Sequence, residues 1–367
     1  MNRHSLSHRV HLRPLAAAVS LAVLIISSLG GFARQPIPSA NAAGTLNVLT
    51  WEGYADAQWV KPFQKRYHVK LNITYIGSDD ELFAKIRGGQ GLTYDVMATN
   101  RANLPALKAS NLIIPLDESK VPNYHNVIPQ LKDKGYRLGG RLYAVPFLWG
   151  ANVLLYNPRY VPTRPTSWNV LWDEKYRGKI TMPDDSTLST SFAALALGYK
   201  DPFHLTDAQL NAVKAKLMAQ RPLLRTLFTG FQDDANLFAS SNVVVGVSEG
   251  SYVVKLAAQK GVKLIETVPK EGAISWLDTW AITKGGAQKG SLPYAWLNYM
   301  ISKNVQKMAI EANYYPGTMQ GVATLLNPRL VKAIHMTDPG FLTRLIPQVL
   351  PENLQKRQKI WNEVKAG

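Results

Sequence analysis

Hydrophobic positions alternate between strand-like and helix-like spacing through residues 45–108. Strand-like segments, rich in β-branched and aromatic residues, are predicted at Thr45–Trp51, Val69–Ile76 and Tyr94–Ala98. Helix-like segments are predicted between and after them at Asp56–Tyr67, Asp79–Ile86 and Arg101–Lys108. This order predicts a parallel or mixed sheet with helices on both faces. Ligands of such sheets bind beyond the carboxyl ends of the strands, so Trp51 and Asn100 are expected to line a crevice.

The same alternation restarts after residues 138–146, which predict a hairpin with a Gly139-Gly140 turn. Further strands are predicted at Gly178–Met182, Asn242–Ser248, Val262–Val268 and Ala273–Ile282. Further helices are predicted at Leu188–Leu197, Asp207–Met218, Ser251–Gln259, Pro293–Ile301 and Val305–Glu311. The pattern therefore predicts two α/β units, with chain crossings and a hinge near residues 145–146 and 271–276.

The N-terminus has the three parts of a secretory signal peptide. Met1–Arg13 carries three arginines and no acid, Leu15–Ile26 is an apolar run shorter than a membrane span, and Ala40-Asn41-Ala42 is a small-x-small cleavage site. We predict a signal peptide over residues 1–42 and a mature chain that is free in a bacterial periplasm. An uncleaved N-terminal anchor is the alternative.

Charge and composition exclude several functions. The full chain has a net charge of +17, and removal of the signal peptide takes four arginines and no acid, leaving +13. The basic residues are interspersed with acids and form no run of five, so we expect a solvated surface and no nucleic-acid site. The chain has no cysteine, which excludes disulfides, thiolate metal ligands and a cysteine nucleophile. Four unpaired histidines remain after cleavage, so no metal and no cofactor are predicted.

Trp276-Leu277-Asp278 is the most informative local motif. At a spacing of two residues in a strand, the indole and the carboxylate point from the same face. A buried carboxylate requires a partner, and an indole face attracts cations, so the pair suits a desolvated organic cation. The alternative is a core tryptophan with an aspartate at the end of a strand.

Three further motifs lie at predicted strand ends or turns. Asp184-Asp185 lies between a strand and a helix, where one acid is expected to cap the helix and the other to be accessible to a ligand. Trp51-Glu52-Gly53-Tyr54 closes the first strand, and Tyr314-Tyr315-Pro316-Gly317 is an aromatic turn. Packing alone is an alternative explanation for both aromatic motifs.

A secreted serine hydrolase is the competing enzyme hypothesis. Gly246-Val-Ser248-Glu-Gly250 matches the nucleophile-elbow pattern between a predicted strand and helix, and Asp278 and His335 follow Ser248 in the hydrolase order. No His-Gly-Gly-Gly oxyanion segment is present in the sequence, however, and only 117 residues follow Gly250.

Taken together, an ordered series of motifs across the mature chain resembles the periplasmic spermidine/putrescine-binding proteins, the solute receptors of ABC importers. The series comprises Trp51-x-x-Tyr54, Tyr94-Asp-Val96, Leu142-Tyr-Ala-Val-Pro-Phe-Leu-Trp-Gly150, Thr166-Ser-Trp-x-x-Leu-Trp172, Asp184-Asp185, Pro269-Lys-Glu-Gly272, Trp276-x-Asp278 and Tyr315-Pro316. The resemblance implies an α/β, two-lobed (type II) periplasmic binding protein, each lobe a mixed sheet flanked by helices, with the ligand cleft between them. We expect residues 45–146 and 277–323 to form the first lobe and residues 147–276 and 324–367 the second.

The resemblance also implies a site and partners. Trp51 and Tyr54 would flank the ligand from the first lobe, Asp185 would bind one ammonium group, Trp276 and Asp278 would hold the other part, and Tyr315 would close the site. The protein would be a monomer that binds a small cationic amine and delivers it to an ABC importer permease; it would not be an enzyme.

The sequence departs from the family at several positions. Leu188 replaces an expected glutamate, and Ser248, with Glu249 beside it, replaces an expected tryptophan. Asn100 and Ala102 flank Arg101 where a serine and a tyrosine are expected. A diamine or polyamine would use Asp185, Asp278 and Glu249 as counter-charges. A zwitterion such as an ω-amino acid would instead place its carboxylate at Arg101.

Overall fold

The computed structural model describes residues 44–336, 338, 341 and 345–367, so the predicted signal peptide lies outside the described residues. The first elements along the chain are β1 (Gly44–Trp51), α1 (Ala57–Tyr67), β2 (Val69–Ile76), α2 (Asp79–Gly88), β3 (Val96–Asn100), α3 (Leu104–Ala109), β4 (Arg137–Leu138), β5 (Arg141–Leu142) and β6 (Ala144–Tyr156). They are followed by β7 (Ile180–Pro183), α4 (Ser186–Ala196), α5 (Asp207–Gln220), β8 (Leu224–Phe228), α6 (Phe231–Ala239), β9 (Val245–Ser248), α7 (Tyr252–Gln259), β10 (Ile265–Thr267) and β11 (Ile274–Ile282). The last are α8 (Leu292–Met300), α9 (Lys303–Asn313), α10 (Pro328–Ala333), β12 (Ile346–Pro347) and α11 (Leu354–Ala366).

The predicted α/β alternation is confirmed, and local polar residues set the helix starts. The side chain of Asp56 accepts a hydrogen bond from the Gln58 amide before α1, and that of Ser78 accepts one from the Glu81 amide before α2. Each cap satisfies one of the free amides of a helix N-terminus. Because β1 and β2 are parallel, with Trp51 opposite Ile76, their carboxyl ends lie at the same edge of the sheet.

Ten strands form one mixed sheet. Its order is β2-β1-β3-β11-β6-β9-β7-β8, with β10 beside β6 and β12 beside β11. Strands β1, β2 and β3 are parallel, whereas β11 is antiparallel to both β3 and β6. The predicted hairpin forms as the separate pair β4–β5. The order places β2 and β8 at opposite ends, with β11 and β6 in the middle.

Strand β6 joins the two parts of the sheet. It has 13 residues, all of them buried, and its first part pairs with β11 as far as Asn152. From Val153 onward it pairs with β9. The sequence predicted a crossing near residues 145–146, and the strand runs through these positions as far as Tyr156. The proposed division into lobes at residues 146 and 276 stays a prediction.

Two large apolar cores lie on either side of this junction. One contains Trp59, Phe63 and Trp296, with Trp296 packed edge-on against Phe63 at 5.0 Å between ring centroids. The other contains Trp168 and Phe192, stacked at 4.6 Å. Within the part of the chain that the structure describes, no helix is long and apolar enough to cross a membrane.

Candidate functional site

A cavity lies where the strand ends of the two parts of the sheet meet, and it holds about 490 Å³ of space, part of which is open to solvent. Eight of the nine residues predicted from the sequence line it: Trp51, Tyr54, Asn100, Asp185, Glu249, Trp276, Asp278 and Tyr315. The sequence reasoning missed seven others: Gly77, Ser78, Asp79, Asn152, Leu188, Phe231 and Gln348.

Trp276 and Tyr315 form the aromatic side of the cavity. Their rings meet edge-on, with centroids 4.9 Å apart and planes at 78°. Two glycines make room for them, because a Cβ at Gly150 would lie 2.4 Å from the Trp276 ring and one at Gly250 would lie 2.4 Å from the Tyr315 ring. Gly250 also has a φ of +125°, which other residues rarely adopt. The ring positions therefore depend on backbone from β6 and from the β9–α7 turn.

Asp278 is opposite Asn100 in the β3–β11 pair, and it lines the same cavity as Trp276. The Tyr54 hydroxyl donates a hydrogen bond of 2.6 Å to Asp278 Oδ2. Burial raises the pKa of Asp278 to about 7, although the Tyr54 hydrogen bond opposes the rise. A positive group in the cavity would lower this pKa again by stabilising the carboxylate.

The two carboxylate oxygens of Asp185 accept hydrogen bonds from different helices. One of its carboxylate oxygens accepts from the Leu188 amide at 2.8 Å and so caps α4, while the other accepts from the Asp79 amide at 3.1 Å. The expectation was that one acid of the pair would cap the helix and the other would face the ligand. Asp184 is instead bound by Trp361 Nε1 and Lys365 Nζ of α11, so it does not line the cavity.

Asp79 is a carboxylic acid of the cavity that the sequence reasoning missed. Its side chain is 8% exposed and accepts from Asn103 Nδ2 at 2.7 Å and from Gln348 Nε2 at 3.3 Å. Burial raises its pKa to about 7, with Asp278 and Asp80 acting in the same direction. Acids are common in the first turn of a helix, so nothing local in the sequence distinguished Asp79 from Asp80.

The cavity thus has four acids and, among its described lining residues, no lysine, arginine or histidine. Burial raises the pKa of Asp185 to about 8, and the neighbouring Asp79 and Asp80 add to that shift. Burial likewise holds the pKa of Glu249 well above its usual range, and the charge of Asp185 makes the next largest contribution. Four desolvated carboxyl groups without a cation are unfavourable in the ionised form. The arrangement therefore suits a ligand with positive charge and apolar surface.

Arg101 is the one predicted site residue that does not line this cavity. Asn100 Oδ1 accepts from the Ala102 amide and turns the chain directly after β3, and the Arg101 guanidinium donates to the Lys134 carbonyl at 3.2 Å. The side chain lines a separate groove with Arg87, and Gln348 lies between that groove and the cavity. A carboxylate bound in the cavity would therefore have no arginine from this position.

Ser248, the nucleophile of the competing hydrolase hypothesis, is fully buried at the end of β9. Its hydroxyl lies 2.6 Å from Glu266 Oε1 and 2.9 Å from the Gly250 carbonyl, and it also accepts from the Gly250 amide. These bonds hold the turn that places Gly250 beside Tyr315. The serine has a structural role in this turn, and its hydroxyl does not face the cavity.

Among the described residues no group of three or more histidine, cysteine or acidic side chains has the arrangement of a metal site. The four acids of the cavity surround space that is also bordered by aromatic rings. Metal ions of the calcium type require six to eight oxygen ligands at close range. The cavity is therefore better suited to an organic cation than to a metal.

Two-lobed periplasmic binding proteins share this architecture. The structure is similar to that of the spermidine/putrescine ABC transporter substrate-binding protein of Streptococcus pneumoniae, with a TM-score of 0.69 at 21% sequence identity, over 88% of this chain and 99% of that chain. The fold is thus an α/β, two-lobed periplasmic binding protein, as the sequence predicted.

The chain belongs to the family of bacterial extracellular solute-binding proteins, whose model matches residues 93–341. It is 28% identical over 292 residues to a spermidine/putrescine-binding periplasmic protein of Salmonella typhimurium, covering 78% of this chain and 81% of the relative. It is 26% identical over 372 residues to a putrescine/agmatine-binding protein of Pseudomonas aeruginosa, covering 95% of this chain and 98% of the relative.

Proposed function

We propose that this protein is the periplasmic solute-binding component of an ABC importer, that it captures a small cationic amine of the putrescine or spermidine type, and that it delivers this amine to the membrane permease. The observation that carries the proposal is the cavity with four acids, of which Asp79, Asp185 and Asp278 are buried, beside the indole of Trp276. Ammonium groups would neutralise carboxylates there, and the methylene chain would pack on the rings.

The chemistry of the cavity agrees with the names of the relatives. The Salmonella and Pseudomonas proteins are named for putrescine together with spermidine or agmatine. These compounds carry positive groups at both ends of an apolar chain. A ligand with two positive ends can bind acids on both parts of the sheet, such as Asp278 on β11 and Asp185 before α4. Closure of the two parts would follow because only the closed form allows both contacts.

A binding titration tests the proposal. Putrescine, spermidine and agmatine are titrated by calorimetry into protein that has been freed of ligand by unfolding and refolding. We expect at least one of them to bind with micromolar or lower Kd, to change the indole fluorescence through Trp51 and Trp276, and to raise the melting temperature.

Two further ligands complete the titration. γ-Aminobutyrate represents the zwitterionic alternative and is expected to bind more weakly, since no arginine lines the described cavity to receive its carboxylate. Butylamine, which has one positive charge and the same chain length as putrescine, is the monoamine for comparison. The proposed function is contradicted if none of the three amines binds, and the zwitterionic ligand replaces them if γ-aminobutyrate binds more tightly than putrescine.

A further inference from the structure

Two helix N-termini from opposite ends of the sheet meet beside the cavity. Helix α2 follows β2, at one edge of the ten-stranded sheet, and α4 follows β7, next to the other edge. The Asp79 amide donates to Asp185 Oδ2 at 3.1 Å. In return, the amide and hydroxyl of Ser186 each donate to the carboxylate of Asp80 at 3.1 Å. The start of each helix thus supplies both a donor and an acceptor to the other.

This contact brings a carboxylate from the start of each helix to the cavity. Asp79 and Asp185 are 8% and 3% exposed, and both line the cavity. Their like charges repel each other when both are ionised. Burial raises the pKa of both groups, and the charge of Asp79 adds to the rise at Asp185. A carboxylate has about four lone-pair positions. The hydrogen bonds from Asn103 and Gln348 occupy two on Asp79, which leaves capacity for a further donor.

Neighbouring polar groups also lack a partner within the described protein. The Tyr315 hydroxyl and the Asn152 Nδ2 are buried, at 2% and 1% residue exposure, and neither has a hydrogen-bond partner among the described residues. Both residues line the cavity. A buried polar atom without a partner is costly, so these groups indicate that an additional hydrogen-bonding molecule belongs in the space that the acids surround.

On the basis of the proposed function, we infer that Asp79 is a ligand-binding carboxylate which, together with Asp185, binds one ammonium group of a diamine and sets the preference for diamines over monoamines. The second ammonium group is bound by Asp278. An ammonium group between Asp79 and Asp185 turns a repulsive contact between α2 and α4 into an attractive one. A ligand with one positive charge binds at only one of the two ammonium positions, so it stabilises the closed form less.

Asp79→Asn tests this inference, with putrescine and butylamine as probes. The wild-type protein is expected to bind putrescine more tightly than butylamine. In Asp79→Asn the affinity for putrescine should fall at least tenfold, because removal of one member of a buried charge pair is costly. The affinity for butylamine should change less than threefold, since its one ammonium group binds at Asp278. The ratio of the two affinities is the readout, measured by calorimetry at pH 8.

Asp80→Asn is the matched control. Asp80 is the next residue, accepts from Ser186 and Gln358, and does not line the cavity. Asparagine retains an acceptor for Ser186, so putrescine affinity should change less than threefold. Asp79→Ser serves as a second variant, with the melting temperature of the ligand-free protein as a check on folding, and should show the same selective loss.

The possible outcomes separate the two proposals. Selective loss of putrescine binding in both Asp79 variants supports the inference. Unchanged putrescine affinity overturns it, and so does an equal loss for putrescine and butylamine, because that result assigns Asp79 to the general structure of the cavity. Wild-type protein that binds no amine overturns the proposed function itself, and the inference with it.

Discussion

Ionisation of Asp278 makes the stability of the ligand-free protein depend on pH. The folded-state pKa is about 7, against 3.8 for the unperturbed group, because the side chain is buried. Where the folded protein holds a proton that the unfolded chain has lost, the free energy of unfolding falls as the pH rises. A shift of roughly three units corresponds to about 4 kcal/mol, of which roughly 3 kcal/mol is lost between pH 5 and pH 8.

The substitution Asp278→Asn isolates this contribution. Asparagine is neutral at every pH and can still accept the hydrogen bond from Tyr54, so the variant should lose less stability between pH 5 and pH 8 than the wild type. Between pH 5 and pH 8 the wild type should lose about 3 kcal/mol more unfolding free energy than the variant. Asp185, with a pKa of about 8, titrates in the same direction in both proteins. The Asp278 charge helps to raise the pKa of Asp79, so its removal should lower that pKa and add to the difference between the proteins in the same direction.

Urea denaturation of ligand-free protein at pH 5, 6, 7 and 8 provides the measurement. Asp207→Asn is the control, because that side chain is 75% exposed and paired with Lys356 at the surface. It should leave the pH dependence unchanged. The reasoning is refuted if the wild type and Asp278→Asn lose equal stability between pH 5 and pH 8, since Asp278 would then have the same pKa in the folded and unfolded states.

Two further substitutions probe the neighbours of the carboxylate and of the aromatic rings. Tyr54→Phe removes the 2.6 Å hydrogen bond that lowers the pKa of Asp278, so putrescine affinity should fall about tenfold at pH 7 and less at pH 9, as calorimetry at the two pH values can measure. Equal losses at both pH values would contradict this explanation. Gly250→Ala places a Cβ 2.4 Å from the Tyr315 ring at a φ of +125°, and it should cost about 2–5 kcal/mol of unfolding free energy in urea. Gly178→Ala, also at a positive φ (+70°) but with open space around its Cβ, is the control without a steric contact, and equal costs would show that the ring contact is unimportant.

Local sequence patterns were sufficient for the fold and for most of the residues that line the cavity. The strand β2 forms with the predicted bounds, and Trp276 and Asp278 line one cavity, as their spacing on a strand predicted. These features depend on periodicity, capping residues and strand ends, which are properties of short segments. The residues at the carboxyl ends of strands can therefore be identified from the sequence alone.

Features that depend on distant contacts were missed. Asp79 resembles any acid in the first turn of a helix, and only the approach of α4 and Gln348 shows that it lies in the cavity. Arg101 follows a residue of the cavity in sequence, yet the turn after Asn100 directs it to another groove. Strand β8 and helices α6 and α11 were not predicted, although α11 holds Asp184 away from the cavity.

The acidic and aromatic lining of the cavity has a practical consequence for work with the isolated protein. An amine bound tightly by these carboxylates beside the Trp276 and Tyr315 rings would dissociate slowly, so dialysis at neutral pH would remove it slowly. Protein purified from cells that contain polyamines should therefore retain a bound cellular ligand. Mass spectrometry of the denatured sample would identify that ligand directly, before any candidate compound is chosen.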